Sequence, residues 1–298
     1  RLPVSWHNHV SGDHYTISEA WLDRVQEVLD YAVDDDMYVI LNIHHDTDKE
    51  YCYPDKEHLE QSLSYMTFIW EQLADRFGDY DEHVIFESIN EPRLVETDHE
   101  WWLDMNAAEC VEAVECINEW NQNFVDVVRK TGGNNATRYL MVPGYDASAD
   151  GVLNDKFVLP TDTAENEGKI LVSVHAYIPY HFALQAATEN ESIDQFNASE
   201  KTSTNDIDQM MEKLYAKYIS NEIPVVIGEF GARDKNGNLQ SRVDYAAYYI
   251  AAARAYGMSC NWWDNNAFTG DGELFGLLDR KTVTWRYPKI VDALMKYA

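Results

Sequence analysis

Short runs of β-branched and other apolar residues alternate with longer amphipathic segments along the whole chain. This alternation is typical of repeated strand–helix units, in which parallel strands pair at the centre and helices cover them. Most of the runs are almost continuously apolar, as expected of strands that are buried on both faces. The predicted strands are Met37–Ile43, His83–Ile89, Arg138–Pro143, Ile170–His175, Pro224–Glu229 and Met258–Asp264, with Arg1–Val4 as the tail of an earlier one.

Between these runs, apolar residues recur every three or four positions, which is the period of an amphipathic helix. One helix is predicted to begin just before Trp21, because Thr16 and Glu19 have the spacing of a capping box ahead of it. The other predicted helices cover Leu59–Phe77, Cys110–Val128, Asp206–Ser220, Ser241–Tyr256 and Pro288–Tyr297.

Seven strand units can be counted, and no linker rich in Pro, Gly or Ser separates them. We therefore predict an α/β protein with a single catalytic domain over residues 1–298. The count fits a (β/α)8 TIM barrel whose first strand and helix are missing from the N-terminus of the chain. The long loops at 47–55 and 93–107 would then lie on the face of the barrel that carries active sites in this fold.

Acidic residues greatly outnumber basic ones. The chain has 52 Asp and Glu against 23 Lys and Arg, which gives a formal net charge of −29. Such a field repels nucleic-acid phosphates and anionic membrane surfaces, whereas a neutral sugar polymer meets no repulsion. The longest apolar runs are far shorter than the roughly 18 residues that a membrane span needs. We therefore expect neither a nucleic-acid nor a membrane partner.

Polar and aromatic residues follow five of the predicted strands at the point where each strand ends. In a barrel of parallel strands, the residues at these carboxyl ends form the active site. Five strands in sequence that all end in residue types used in catalysis favour an enzyme over a stability role. The residues are His44-His45-Asp46, Asn90-Glu91-Pro92, His175-Ala-Tyr177, Glu229-Phe-Gly and Trp262-Trp263-Asp264-Asn265-Asn266.

Two of these residues, Glu91 and Glu229, are glutamates at the ends of different strands. If the last strand is counted as the eighth, Glu91 follows the fourth strand and Glu229 ends the seventh. A retaining glycosidase needs two carboxyl groups about 5–5.5 Å apart, one nucleophilic and one protonated. Two neighbouring like charges favour protonation of one of them, which supplies the acid.

The motifs at these strand ends together resemble glycoside hydrolase family 5, and the resemblance covers essentially the whole chain. The final Trp-Trp-Asp-Asn-Asn motif with Pro179-Tyr180 is most similar to the endoglucanases and xyloglucanases of subfamily 4. The motifs are Arg1-Leu-Pro-Val-Ser-Trp, Leu41-Asn-Ile-His-His, Ile89-Asn-Glu-Pro, Val174-His-Ala-Tyr, Ile227-Gly-Glu-Phe-Gly and Trp262-Trp-Asp-Asn.

The resemblance implies a role for each residue near the scissile bond. Glu91 would protonate the departing glycosidic oxygen and then activate water, while Glu229 would attack the anomeric carbon. Asn90 would bond the 2-hydroxyl of the sugar next to the scissile bond. Arg1 and Tyr177 would lie beside Glu229 and keep it ionised and oriented.

Further cleft residues are implied with less definite positions. His44 and His175 would line the cleft, and His45 is the alternative to His44. Trp263 would stack on a sugar ring, and Trp262 is its alternative, because neighbouring residues of a strand face opposite sides. For the aromatic residues in nearby loops, a sugar subsite and ordinary loop packing remain equally open. These are Trp101, Trp102, Tyr145 and Phe182.

The implied activity is retaining endo-hydrolysis of a β-1,4-glucan, with cellulose-like glucan, mixed-linkage glucan or xyloglucan as substrate. One alternative is the same mechanism on mannan or xylan, and another is a barrel that binds carbohydrate without cleaving it. We expect a secreted, extracellular bacterial protein that acts as a monomer on a polysaccharide or oligosaccharide. The resemblance also places Arg1 at the end of the second strand, so we expect the chain to be part of a longer enzyme.

The resemblance implies neither a metal nor a cofactor. His44-His45-Asp46 nevertheless keeps a metal-dependent barrel hydrolase open as an alternative. Such sites need several histidine and carboxylate ligands that converge from different strands and leave a position for water. That alternative predicts that a chelator abolishes activity.

Overall fold

A computed structural model describes residues 1–270 and 272–298. The chain forms two compact units, Arg1–Val174 and His175–Ala298. None of the helices in the described part of the chain is long and apolar enough to cross a bilayer.

The first unit contains helices packed against short parallel strands. Single-turn 3-10 helices lie at His7–His9, Gly133–Ala136, Tyr145–Ala147 and Ala164–Asn166. The strands and α-helices, in chain order, are β1 (Val10–Ser11), β2 (Thr16–Ile17), α1 (Glu19–Val33), β3 (Val39–Asn42), α2 (Leu59–Arg76), β4 (Val84–Glu87), α3 (Ala108–Lys130), β5 (Leu140–Pro143), α4 (Ala149–Leu153) and β6 (Ile170–His175), whose last residue begins the second unit.

The parallel strands of the first unit pair in the order β3, β4, β5, β6. All residues of β3, β4 and β5 are buried, as their apolar sequences predict for strands covered on both faces. The register sets Asn42 opposite Glu87, so the ends of β3 and β4 lie at the same edge. The predicted tail of an earlier strand is reduced to one parallel bridge, between Leu2 and Leu41.

Helices α2 and α3 cover this sheet with large aromatic side chains. Trp70 of α2 packs against Phe86 of β4 and Phe124 of α3, with ring centroids 5.3 and 4.6 Å apart. The indole N–H of Trp70 donates to the backbone carbonyl of Ser88 at 3.0 Å. The helix therefore fixes the chain just before the strand-end residues Asn90 and Glu91.

The predicted capping box at Thr16 is wrong. Thr16 pairs with Ser11 in the antiparallel ladder of β1 and β2, so its backbone is already extended. Helix α1 begins at Glu19 after Ser18, whose backbone carbonyl accepts from Trp21 and Leu22. Local spacing identified the start of the helix to within three residues, but pairing with a neighbouring strand decided the boundary.

The second unit has the same strand–helix character. A single 3-10 turn covers Ile219–Asn221. The remaining elements are α5 (Tyr180–Ala183), α6 (Lys201–Lys217), β7 (Val225–Phe230), α7 (Leu239–Ala255), β8 (Ser259–Trp262), β9 (Leu278–Asp279), β10 (Thr284–Trp285) and α8 (Pro288–Tyr297).

Strands β7 and β8 are parallel but contain an irregularity. Ile227 pairs with Cys260, whereas Phe230 pairs with Trp262, so β7 has one residue more than β8 in this interval. The extra residue is a β-bulge at Gly228–Glu229. Bulges often occur beside active sites, where they redirect a side chain.

Candidate active site

The backbone at the end of β4 is attached to the end of β3. The N–H of Asn90 donates to the carbonyl of Ile43 at 2.8 Å, and Asn90 itself is almost completely buried. The side-chain oxygen of Asn90 accepts from Arg1 Nη2 at 2.8 Å. The amide nitrogen of Asn90 is therefore turned away from Arg1, and its two N–H groups can donate elsewhere.

Sequence reasoning missed Glu87, a fully buried carboxylate on β4. Its Oε2 accepts from Arg1 Nε at 2.7 Å and from Asn42 Nδ2 at 3.0 Å. Its Oε1 accepts from Ser173 Oγ at 2.6 Å. Arg1 was predicted beside Glu229, and within the first unit it bridges Glu87 and Asn90. A glutamate inside an otherwise apolar strand was the available signal, because a buried charge requires partners.

The environment of His44 determines its tautomer. Asn42 Nδ2 must face Glu87, because a carboxylate can only accept, and this fixes the orientation of the Asn42 amide. The same Nδ2 lies 3.1 Å from His44 Nδ1, which therefore accepts. A neutral His44 consequently carries its proton on Nε2 and can donate a hydrogen bond from that side.

His44 is buried beside this polar network, whereas His45 is exposed, with the two rings edge to face at 4.5 Å. Asp46 is fully buried, and its carboxylate accepts from the backbone N–H groups of Trp6 and His7. It also contacts the ring of His7. These partners give Asp46 a structural role and draw its oxygens away from a shared metal site with His44 and His45.

Glu91 is partly exposed and lies next to Arg93. The Arg93 Nη1 donates to the backbone carbonyl of Glu91 at 2.9 Å and is 3.9 Å from Oε2 of the Glu91 side chain. The hydroxyl of Thr47 is 3.5 Å from the same carbonyl oxygen. The backbone of Glu91 is thus fixed by two loops of the first unit.

Glu229 lies at the bulge of β7 and is 5% exposed. The hydroxyl of Tyr177 donates to its Oε2 at 2.7 Å, and His175 Nδ1 is 3.8 Å from the same oxygen. The backbone carbonyl of Glu229 accepts from Ala176 N–H at 2.9 Å. Tyr177 therefore lies beside Glu229, as predicted, and its hydrogen bond orients the carboxylate.

Trp262 and Trp263 have different surroundings. Trp262 packs edge to face against Phe230 with centroids 5.4 Å apart, and its indole N–H donates to the carbonyl of Phe275 at 3.1 Å. Trp263 binds the end of β7 through its backbone, with N–H donating to the carbonyl of Phe230 at 2.9 Å. Trp262 is thus used in packing, and the placement of the Trp263 ring on a sugar stays a prediction.

The residues after Trp263 form a second network that sequence reasoning did not assign. Asp264 Oδ1 accepts from the N–H groups of Asn266 and Leu277, and Oδ2 accepts from Leu278, at 2.9–3.1 Å. Asp264 therefore holds the loop that follows β8 against the start of β9.

The four additional aromatic candidates divide into two pairs. Tyr145 is fully buried, and its hydroxyl accepts from Leu94 N–H at 3.0 Å and donates to the carbonyl of His99 at 2.6 Å. Phe182 is buried against Phe196 and Tyr245. Both therefore serve in loop packing. Trp101 and Trp102 are exposed, as a sugar-binding surface requires.

One further group in the first unit brings possible metal ligands together. Asp55, Glu57 and His58 offer ligand atoms within 4.8 Å of one another. Asp55 Oδ1 also accepts from the backbone N–H of His58 at 2.8 Å and lies 2.7 Å from its Nδ1. Hydrogen bonding within the loop before α2 accounts for this cluster.

The sequence is similar to those of known proteins. A family model described as cellulase (glycosyl hydrolase family 5) matches residues 1–269. Endoglucanase B of Ruminococcus albus is 43% identical over 298 residues, which cover the whole of this chain and 68% of that protein.

Two solved structures are similar over nearly the whole chain. A mutant glycoside hydrolase 5 lichenase from Caldicellulosiruptor sp. F32, in complex with cellotetraose, is 60% identical with a TM-score of 0.98, covering 99% of this chain and 79% of that one. A GH5-4 broad specificity endoglucanase from Ruminococcus champanellensis, with bound cellotriose, is 44% identical with a TM-score of 0.88. The match covers 98% of this chain and 80% of that one.

Proposed function

The chain belongs to the cellulase family, glycosyl hydrolase family 5, and from that premise we propose which residues carry its reaction and which glucan it prefers. It is an endo-acting glucan hydrolase, and its mechanism is the double displacement general to the family. The predicted (β/α)8 fold class and the predicted likeness to subfamily 4 are confirmed by the family match and the solved relatives.

Glu229 would be the nucleophile. The observation that supports this assignment is the 2.7 Å hydrogen bond that Tyr177 donates to Oε2 of a nearly buried carboxylate. A donor at this distance fixes the orientation of the carboxylate, which an attacking nucleophile requires. Tyr177 would hold the carboxylate by Oε2 while Glu229 attacks the anomeric carbon. The enzyme–sugar ester would then form as the glycosidic bond breaks.

Glu91 would be the general acid and base. In the first step its proton would pass to the departing glycosidic oxygen, and in the second it would remove a proton from the water that cleaves the ester. Its carboxyl is more accessible than that of Glu229, with 18% of the side chain exposed against 7%. Entry of the water that Glu91 deprotonates in the second step needs such access.

The neighbouring polar residues would position the sugar. Arg1 holds Asn90 by its oxygen, which leaves the Asn90 amide N–H groups to donate to a 2-hydroxyl. His44, as the Nε2 tautomer, and His175 would donate to other hydroxyls. His45 is exposed, so it would contact a sugar only at the rim of the cleft. Trp263 would stack on the apolar face of a sugar ring.

We further propose mixed-linkage β-glucan as the preferred substrate, with cellulose-like glucan and xyloglucan also accepted. The support is the 60% identity to a structure described as a lichenase, together with the 44% identity to one described as a broad specificity endoglucanase. Mannan and xylan are the competing substrates. Initial rates on purified glucan, xyloglucan, mannan and xylan separate these alternatives.

A mechanism-based label tests the roles of the two glutamates. A 2-deoxy-2-fluoro-β-cellobioside with a dinitrophenyl leaving group should trap the ester, and peptide mass spectrometry should find the label on Glu229. Glu229→Gln should lose nearly all activity, because no covalent route remains. The exposed Glu119 on α3 provides the matched control Glu119→Gln, which should keep full activity. A label on any other residue, or an inverted first-formed anomer by NMR, would contradict the assignment.

The remaining expectations are also proposals. We propose that residues 1–298 act as one catalytic domain, that the protein is a monomer, and that it is secreted by a bacterium. A secreted enzyme fits a polymeric substrate, and the relative from Ruminococcus albus is bacterial. Light scattering of the purified protein tests whether it is a monomer, and fractionation of the producing culture tests whether it is secreted.

A further inference from the structure

Arg93 lies two residues after Glu91 and contacts it twice. Its Nη1 donates to the Glu91 backbone carbonyl at 2.9 Å and is 3.9 Å from the side-chain Oε2. A guanidinium is protonated at every pH at which the enzyme is folded, so this charge is permanent. Arg93 therefore places a fixed positive charge beside the proposed acid.

The guanidinium is held in place from two other sides. Its Nε is 3.3 Å from Oε1 of Glu100, whose Oε2 accepts from the backbone N–H of Glu96 at 3.0 Å. The Trp101 ring covers its face, with the guanidinium carbon 4.1 Å from the ring centroid. Only 18% of the Arg93 side chain is exposed. A charge fixed in this way cannot relax away when the charge on Glu91 changes.

We propose that Arg93 is a positioning residue that promotes proton transfer from Glu91 to the leaving group; this inference rests on the acid role proposed above. When Glu91 gives up its proton, negative charge develops on a carboxyl whose Oε2 lies 3.9 Å from Arg93. A fixed opposite charge stabilises that developing anion more than it stabilises the neutral acid. Arg93 thereby makes Glu91 a stronger acid in the bond-breaking step.

Aryl β-cellobiosides with leaving groups of graded acidity test this inference. All of them place an aromatic ring in the same position, but only the poorer leaving groups need protonation. For Arg93→Met we expect kcat/KM on phenyl β-cellobioside to fall about tenfold, as one charge interaction in partly exposed surroundings implies. On the 2,4-dinitrophenyl compound the change should be less than about twofold. Arg93→Lys, which keeps the charge, should recover part of the loss.

The pH dependence of kcat/KM is a second test of the inference. Without Arg93 the neutral acid persists to higher pH, so the alkaline limb of kcat/KM should move upward by about one pH unit. If Arg93 served only to hold the loop, the variant would lose activity equally on all leaving groups and its alkaline limb would stay in place. Either of these results would overturn the inference.

Two comparisons separate this inference from the proposed function. Glu91→Ala should itself show the leaving-group dependence. If it does not, Glu91 is not the acid, and the proposed function fails. If Glu91→Ala shows the dependence and Arg93→Met does not, only the inference fails. Arg129→Met, which removes another arginine–carboxylate pair of the same unit, should change no kinetic constant.

If Arg93→Met does not fold, Arg93→Gln replaces it. This variant keeps an N–H donor for the backbone carbonyl of Glu91 but carries no charge. We expect a similar loss with the same dependence on leaving group. An equal loss on every aryl cellobioside would contradict the proposal with this variant too.

Discussion

At the scale of single residues, Glu87 is a fully buried carboxylate with several hydrogen-bond donors. Both of its oxygens accept hydrogen bonds inside the first unit, from Arg1, Asn42 and Ser173. The loss of one partner from a buried ion pair leaves the other charge uncompensated, which costs about 3–5 kcal/mol. Glu87 therefore also affects the proposed active site, because it holds Arg1, and Arg1 orients the side chain of Asn90.

We expect Glu87→Gln to be strongly destabilised. The introduced amide nitrogen cannot accept, so at least one donor loses its partner, and Arg1 loses the charge of Glu87. The free energy of unfolding in urea should fall by about 3 kcal/mol. Ser173→Ala, which removes one neutral donor, should cost only about 1 kcal/mol. If the two variants lost the same free energy of unfolding, the Arg1–Glu87 charge pair would not be the main source of the stability that Glu87 provides.

Tyr177 offers a test on the other glutamate. Tyr177→Phe removes only the hydroxyl that donates to Glu229 at 2.7 Å. Hydrogen bonds to charged groups contribute about 1.5–3 kcal/mol, so kcat on β-glucan should fall about 10- to 100-fold. Tyr256→Phe, at the end of α7, is the control and should leave kcat unchanged. A Tyr177→Phe enzyme with wild-type kcat would remove the basis for choosing Glu229 as the nucleophile.

At the scale of elements, the loop after β8 depends on Asp264. Its carboxylate accepts from three backbone N–H groups, and an amide at this position can no longer accept with both of its terminal atoms. In a Glu229→Gln background, Asp264→Asn should weaken cellotetraose binding about tenfold by calorimetry, because Trp263 precedes the displaced loop. Asp279→Asn, in the hairpin formed by β9 and β10, should bind like the parent.

The end of α3 supplies a prediction about pH. Burial alone would raise the pKa of Asp162, but hydrogen bonds from Arg129 and Asn166 outweigh it, so the pKa is lowered from its ordinary 3.8. A lowered pKa contributes stability that is fully present above pH 3.8 and is lost as pH falls through the lowered pKa. The stability difference between wild type and Asp162→Asn should therefore be constant from pH 5 to 7 and shrink below about pH 4. Urea unfolding at each pH measures it, and a difference that does not shrink would contradict the ion pair.

At the scale of the whole molecule, the net charge of −29 should change kcat/KM on charged substrates but not on neutral ones. We expect kcat/KM on neutral β-glucan to change less than about twofold between 20 and 200 mM NaCl. On carboxymethylcellulose, which is anionic, it should rise several-fold over that range as the repulsion is screened. Equal salt dependence on both substrates would show that the field does not reach the cleft.

Much of this molecule was predictable from its sequence, because apolar periodicity determines which segments become buried strands and helices. The strand prediction Ile170–His175 agrees with β6 at both ends, and Pro288–Tyr297 agrees with α8. Pairing with distant residues was not predictable. Thr16 joined a strand and did not cap a helix, Tyr145 was buried as a loop anchor, and Glu87 acquired its partners from other segments of the chain.

The bulge in β7 shifts the register of its pairing with β8 by one residue. Upstream of it Ile227 is matched with Cys260, and downstream Phe230 is matched with Trp262, where unshifted pairing would have matched Phe230 with Trp263. The bulge absorbs the extra residue of β7, so that Trp262 and not Trp263 packs on Phe230. Deletion of Gly228 would remove the bulge, pair Glu229 with Asn261 and leave Phe230 matched with Trp262. A β7 shorter by this one residue would therefore keep the same tryptophan on Phe230.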